Sequence, residues 1–65
     1  MAKGLGDIET VSRVVQGERA VMAIVVQLIA DSQFHAVLPL PDDQWEIYVR
    51  KENEERLRLL VEAWS

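Results

Sequence analysis

The sequence predicts one small α+β domain, a two-layer sandwich in which a three-stranded antiparallel sheet carries two helices on one face, in the order β-α-β-β-α. Three patterns predict it: an apolar run over residues 20–30 interrupted only by Gln27, a hairpin pattern over residues 34–50, and an amphipathic helical pattern over residues 54–64. Because a chain of 65 residues is sufficient for one domain, we assign residues 1–65 to a single unit.

The first segment of the chain is the least defined. Residues 1–7 hold two glycines, and we expect them to form a flexible end. Residues 8–16 are rich in β-branched side chains, which favour a strand. A helix capped by Asp7, in which Glu9 pairs with Arg13 four residues later, is the alternative. The sequence alone leaves both interpretations of residues 8–16 open.

The apolar run over residues 20–30 predicts a helix that is hydrophobic on every side, and such helices are normally buried all round. Gly17 and Glu18 suit its N-terminal end, and Asp31 follows its last apolar residue. In a two-layer domain, however, one side of a helix faces away from the sheet. Apolar side chains left on that side mark an interaction surface. We expect this surface to consist of Met22, Val25, Val26 and Ile29.

The hairpin pattern consists of two strand-like segments, residues 34–38 and 45–50, separated by prolines and aspartates. Side chains alternate along a strand, so each segment has one face toward the helices. We assign to the helix-facing side Phe34, Ala36, Leu38, Trp45, Ile47 and Val49, and to the opposite side His35, Val37, Glu46, Tyr48 and Arg50. Because prolines cannot donate to a ladder, Pro39 and Pro41 predict that the first strand ends early or lies at an edge.

The half-polar side of the hairpin is a candidate surface for a partner or a ligand. We expect His35, Tyr48 and Arg50 to form it. Aromatic and arginine side chains are enriched in binding hot spots. Trp45 and Trp64 lie on predicted core faces instead, and we interpret them as packing residues.

The C-terminal helix is predicted from its start signals and its stripe. Asn53 is a good N-cap, and an ion pair between Glu54 and Arg58 is expected four residues apart. The apolar residues that recur at helical spacing are Leu57, Leu60, Val61 and Trp64.

Composition excludes several classes of function. The 11 acidic and 7 basic residues give a net charge of -4, which disfavours binding to nucleic acid. The apolar run is shorter than the roughly 20 residues that cross a membrane, and no basic leader precedes it, so we predict a cytoplasmic protein without a membrane segment. The chain has no cysteine and one histidine, which predicts no disulfide, no metal and no cofactor.

Catalysis is not expected from the distribution of reactive side chains. The one histidine, His35, would need Asp31, Asp42 or Asp43 as a companion, and isolated carboxylates of this kind do not form a recognisable acid–base motif. The adjacent pair Asp42 and Asp43 is typical of a turn. We therefore predict that the protein is not an enzyme.

The segment over residues 45–60, WEIYVRKENEERLRLL, resembles the short signal-transducing proteins of prokaryotes, in which a hairpin leads into a helix with an acidic, arginine-containing first turn. The likeness extends over residues 11–64. It implies half of a ferredoxin-like fold, a bacterial source and a regulatory or binding role, and it brings no catalytic residues.

The sequence thus predicts a small non-catalytic regulatory or adaptor module that acts through protein contacts and self-associates, as a homodimer, through its apolar helix. A domain of this size buries too little surface to be very stable alone, and association is a usual remedy. A structural subunit of a larger assembly is the alternative, and a small-molecule sensor is a further one.

Overall fold

The computed structural model describes residues 9–64. The elements follow the predicted order, and the two helices pack on the sheet as expected. They are β1 (Thr10–Gln16), α1 (Glu18–Ala30), β2 (Ala36–Leu40), β3 (Gln44–Arg50) and α2 (Glu54–Trp64), with a short 3₁₀ turn at Lys51–Asn53 before α2. The α+β class is therefore confirmed. The flexible end predicted for residues 1–7 lies outside the described residues.

The sheet has three antiparallel strands in the order β1-β3-β2, so β3 is central and the other two strands are edges. The segment with two interpretations is a strand, since Thr10–Gln16 pairs with β3 along its whole length. Glu9 accordingly does not pair with Arg13, and its carboxylate lies 3.5 Å from the Lys51 amine. The β-branched side chains decided this segment because they pack well on a pleated sheet.

The core lies between the sheet and the two helices, and both layers contribute to it. Its largest fully buried side chains are Ile24, Leu28, Ile47, Val49 and Leu57. Smaller contributions come from Val15, Val21 and Leu60. Among the described residues no polar or charged residue is buried in this core. Burial of apolar area, worth about 25 cal/mol per Å², is thus the main force that holds the layers together.

Helix α1 begins and ends at residues whose backbone conformation stops a strand or a helix. Gly17 has a φ of 96°, a conformation that residues with a side chain rarely adopt. Its carbonyl accepts a hydrogen bond from the Val21 amide at 3.1 Å. At the other end the Asp31 amide donates to the Gln27 carbonyl at 3.0 Å, and Ser32 follows in the left-handed region with a φ of 58°. These ends fix the bounds of α1, directly after β1 and before the segment that leads to β2.

The side chains of β2 alternate in the opposite phase to the one predicted. Leu38 lies opposite Glu46 and Ala36 opposite Tyr48, so both point away from the helices, whereas Val37 lies opposite the buried Ile47. The prediction was one residue out of phase for this strand. The helices contact β1 and β3, and few side chains of β2 lie in the core, so its sequence carried little information on which face is buried. The strand does lie at an edge, as Pro39 predicted.

Two predictions for α2 were wrong. Arg58 bonds Glu55 at 2.5 Å and Glu62 at 3.0 Å instead of Glu54. Glu55 and Glu62 lie on the same side of Arg58 around the helix, so the guanidinium can bond both, whereas Glu54 lies on its other side. Trp64, expected in the core, is 53% exposed, because it occupies the last position of α2, beyond Leu60.

Candidate functional site

The side of α1 that faces away from the core is a stripe of exposed apolar side chains. Met22, Val26 and Ile29 are 57%, 61% and 58% exposed. Their spacing of four and three residues places them on one side of the helix, while the buried residues Val21 and Leu28 lie on another. We call Met22, Val26 and Ile29 the α1 stripe. It contains three of the four residues predicted for the interface.

Val25, the fourth predicted residue, is half-buried and lies at the boundary between the α1 stripe and the core. It lines an apolar groove of about 230 Å³ that runs along the same side of the helix. The groove is lined by Val21, Met22, Val25, Val26, Val37 and Trp45, with Glu18 at one end. The groove and the α1 stripe share Met22 and Val26, so they form one continuous apolar surface.

The groove exists because the helices leave β2 partly uncovered. Helix α1 packs against β1 and β3, while β2 lies beyond it at the sheet edge. Val37 of β2 and Trp45 of β3 therefore form the floor of the groove, and α1 forms its wall. The sequence did not predict this floor, because Val37 was assigned to the opposite face of the sheet.

A polar concavity of about 510 Å³ lies near the other end of the hairpin. It is lined by residues 31–35 together with Arg50, Glu52 and Asn53. Two of the three predicted partner-face residues, His35 and Arg50, therefore line one cavity. Its chemistry is limited: the Asp31 carboxylate is bonded by Arg56 at 2.8 Å, and no hydrogen bond within residues 9–64 joins Ser32 to His35.

Gln33 is the one unusual group of the polar concavity. Its side-chain oxygen is inaccessible to solvent and has no hydrogen-bond partner among residues 9–64. The residue as a whole is only half-buried, so this oxygen is shielded locally. Within the same part of the chain, no three histidine, cysteine or acidic residues come together as a metal site requires. The predicted companions Asp42 and Asp43 belong to the β2–β3 turn and do not line this cavity.

Tyr48, the third predicted partner-face residue, lies on the sheet face opposite the helices. Glu46 is two residues away on the same strand face, and its carboxylate accepts a bond from the Ser12 hydroxyl at 2.9 Å. Glu46 raises the pKa of Tyr48 above its ordinary value of 10.0, by hydrogen bonding first, with burial and the negative charge adding to the effect. Tyr48 does not line the polar concavity and belongs to a separate surface.

Comparisons of the chain with models of protein families, with curated proteins and with solved structures gave no match. The likeness to the signal-transducing proteins of prokaryotes therefore stays a prediction. No helix within residues 9–64 combines the length and the apolar character needed to cross a membrane.

Proposed function

We propose that this protein is a small non-catalytic module that works through protein contacts and self-associates through the α1 stripe. The observation that supports it is the contiguous apolar surface formed by the α1 stripe and the groove beside it. A surface of this kind on a small domain marks an interaction site. A regulatory or adaptor role, in which the dimer presents its remaining surfaces to another protein, fits it best.

The shape of this surface favours a second copy of the chain as its occupant. A two-fold contact uses the same patch on both molecules, so the patch must be complementary to itself. Here protruding side chains, Val26 and Ile29, lie beside a groove whose floor is Val37 and Trp45. The protruding side chains of one copy can thus fill the groove of the other.

The charges at the ends of α1 favour an antiparallel arrangement of the two helices. Arg19 lies in the first turn of α1 and has no ion pair among residues 9–64. The last turn of α1 holds no basic residue, although cations stabilise that end of a helix. An antiparallel pair brings Arg19 of each copy to the C-terminal end of the other α1, where Arg56 of that copy already bonds Asp31. The two-fold axis then passes close to Val26, midway along the stripe.

The reactive side chains of the described region support a non-catalytic role. The Asp31 carboxylate bonds Arg56, and the polar concavity brings His35 together with Arg50 but without a hydrogen-bonded nucleophile. Catalysis by a nucleophile and a base needs the two within hydrogen-bond reach. Binding by shape and apolar area is what the geometry supports.

The test of this proposal is the mass of the assembly for two matched variants, measured by native mass spectrometry and sedimentation velocity. Val26→Glu places a charge in the α1 stripe, and Leu59→Glu places the same charge at a 45% exposed apolar position on α2. We expect Val26→Glu to lower the assembly mass at least twofold and Leu59→Glu to leave it unchanged. Equal masses for wild type and Val26→Glu, with both folded by circular dichroism, overturn the proposal.

A further inference from the structure

We infer that β1 is a second self-association site, at which this edge strand pairs antiparallel with β1 of another copy and joins the two sheets into one. This contact uses the sheet edge and is independent of the α1 stripe. Two observations support this inference: the hydrogen-bond pattern of the two edge strands and the charges along β1.

The hydrogen bonds at both ends of β1 show which of its backbone groups are unused. The Lys51 amide donates to the Glu9 carbonyl at 3.0 Å, and the Gly17 amide donates to the Asp43 carbonyl at 2.8 Å. In an antiparallel ladder the residues that face a neighbouring strand alternate. The odd-numbered residues of β1 therefore bond β3, and Thr10, Ser12, Val14 and Gln16 direct their amides and carbonyls outward. These four residues are exposed.

The other edge of the sheet is closed to pairing by a proline. Ala36, Leu38 and Leu40 lie opposite the even-numbered residues of β3, which face β2. Val37 and Pro39 consequently face outward, and Pro39 has no N–H to donate. Over its five residues β2 presents a single outward donor, that of Val37. Among the described strands, only β1 offers a full row of donors and acceptors, so a second copy can pair only through its own β1.

The charges of β1 favour a register in which Glu9 and Arg13 of the two copies lie opposite each other. With the two-fold axis at Val11, Glu9 of each copy lies opposite Arg13 of the other, and Thr10 and Ser12 exchange backbone bonds across the axis. With the axis at Arg13, two arginines face each other, and directly opposed like charges destabilise a pair. Arg13 has no ion pair within residues 9–64, and Glu9 has only an exposed contact with Lys51. Both charges are therefore available to a second copy.

The two contacts lie at different parts of the molecule, since the apolar groove is floored by Val37 of β2 and the pairing edge belongs to β1, the strand at the other side of the sheet. A chain that uses both can extend beyond a dimer. In that case Val26→Glu leaves pairs joined through β1, and a variant of β1 leaves pairs joined through α1.

The first experiment uses Ser12, whose amide faces outward. Ser12→Pro removes this donor without removing a backbone bond to β3. Ser12→Ala is the matched control, because it loses the same hydroxyl, with its bond to Glu46, and keeps the amide. Both are made in the Val26→Glu background and examined by sedimentation velocity. We expect dimers for Val26→Glu and for its Ser12→Ala form, and at least about tenfold weaker association for its Ser12→Pro form. A monomeric, folded Val26→Glu protein overturns the inference and leaves the proposed helix contact intact.

The second experiment does not depend on proline being tolerated. In the same background, Glu9→Arg opposes two arginines and Arg13→Glu opposes two glutamates, so each protein alone should be monomeric. Mixing the two restores opposite charges at both ends of the pair, and we expect a one-to-one heterodimer in native mass spectrometry. Absence of the heterodimer, or dimers of either single variant as stable as the parent, overturns the pairing.

Discussion

The Arg56 guanidinium lies 2.8 Å from the Asp31 carboxylate and joins the first turn of α2 to the end of α1. Its Nε donates to the same carboxylate oxygen at 3.0 Å, so two bonds converge on one acceptor. A cation near the C-terminal end of a helix is also favoured by the helix dipole. This pair links the two helices at the point where the chain leaves α1 for the hairpin.

Asp31→Ala should lower the free energy of unfolding by about 0.5–1 kcal/mol, because both partners are partly exposed and such ion pairs are weak. Urea denaturation measures the change. Glu52→Ala, at an exposed position for which no ion pair occurs within residues 9–64, is the control and should stay within about 0.5 kcal/mol of wild type. Equal losses for the two variants contradict a role for the Asp31 pair.

The two sides of α1 should respond very differently to truncation. Ile24→Ala should cost about 2–5 kcal/mol, because Ile24 is fully buried and a cavity remains. That is comparable to the whole stability of a domain of this length, about 3–10 kcal/mol, so partial unfolding is expected. Val26→Ala, at a 61% exposed position, should change the stability of the dilute protein by less than about 0.5 kcal/mol. Thermal melts at low concentration compare the two, and similar losses contradict the orientation of α1.

The β2–β3 turn should be stabilised by glycine. Asp42 has a φ of 64°, a left-handed conformation that costs a residue with a side chain about 1–2 kcal/mol relative to glycine. Asp42→Gly relieves this strain, but it also increases the entropy of the unfolded chain, so we expect a net gain of up to about 1 kcal/mol. Circular dichroism melts measure it. Glu52→Gly is the control at a position that needs no positive φ, and it should lower the stability of the fold. If Asp42→Gly lowers the stability by the same amount, Asp42 is not strained.

Tyr48 should titrate above pH 10. It is the one tyrosine of the chain, so the phenolate absorbance reports on it alone. Glu46 raises the pKa of Tyr48 in the folded protein above 10.0. The contribution of Tyr48 to the stability of the fold is therefore complete below the pKa of the unfolded chain, and it is lost as the pH rises through the folded pKa. Glu46→Gln should bring the midpoint back toward 10.0. An unchanged midpoint in this variant contradicts the assigned cause.

Local patterns were sufficient to predict most of the fold. The length of the apolar run over residues 20–30 favoured a helix, and the acidic first turn after Asn53 marked the start of α2. The exposed stripe followed from geometry, since one side of any helix in a two-layer domain faces away from the sheet. Met22, Val26 and Ile29 were thus predictable before their neighbours were known.

Relations that depend on long-range pairing were not predictable. The phase of β2 is set by its register with β3, so Val37 was placed on the wrong face and the floor of the groove was missed. The distinction between the two edges depends on which residues bond β3, a property of the ladder rather than of β1 or β2 alone. Trp64 was assigned to the core by its spacing, which carries no information on where the last turn of α2 leaves the sheet.

The most direct test of self-association through α1 is a disulfide between two copies. The chain has no cysteine, so Val26→Cys introduces a single thiol beside the proposed two-fold axis. Leu59→Cys introduces one at an exposed position of α2 as a control. Under mild oxidation, non-reducing electrophoresis should show rapid and nearly complete dimer for Val26→Cys and slow, partial dimer for Leu59→Cys. Equal rates for the two thiols would contradict the contact.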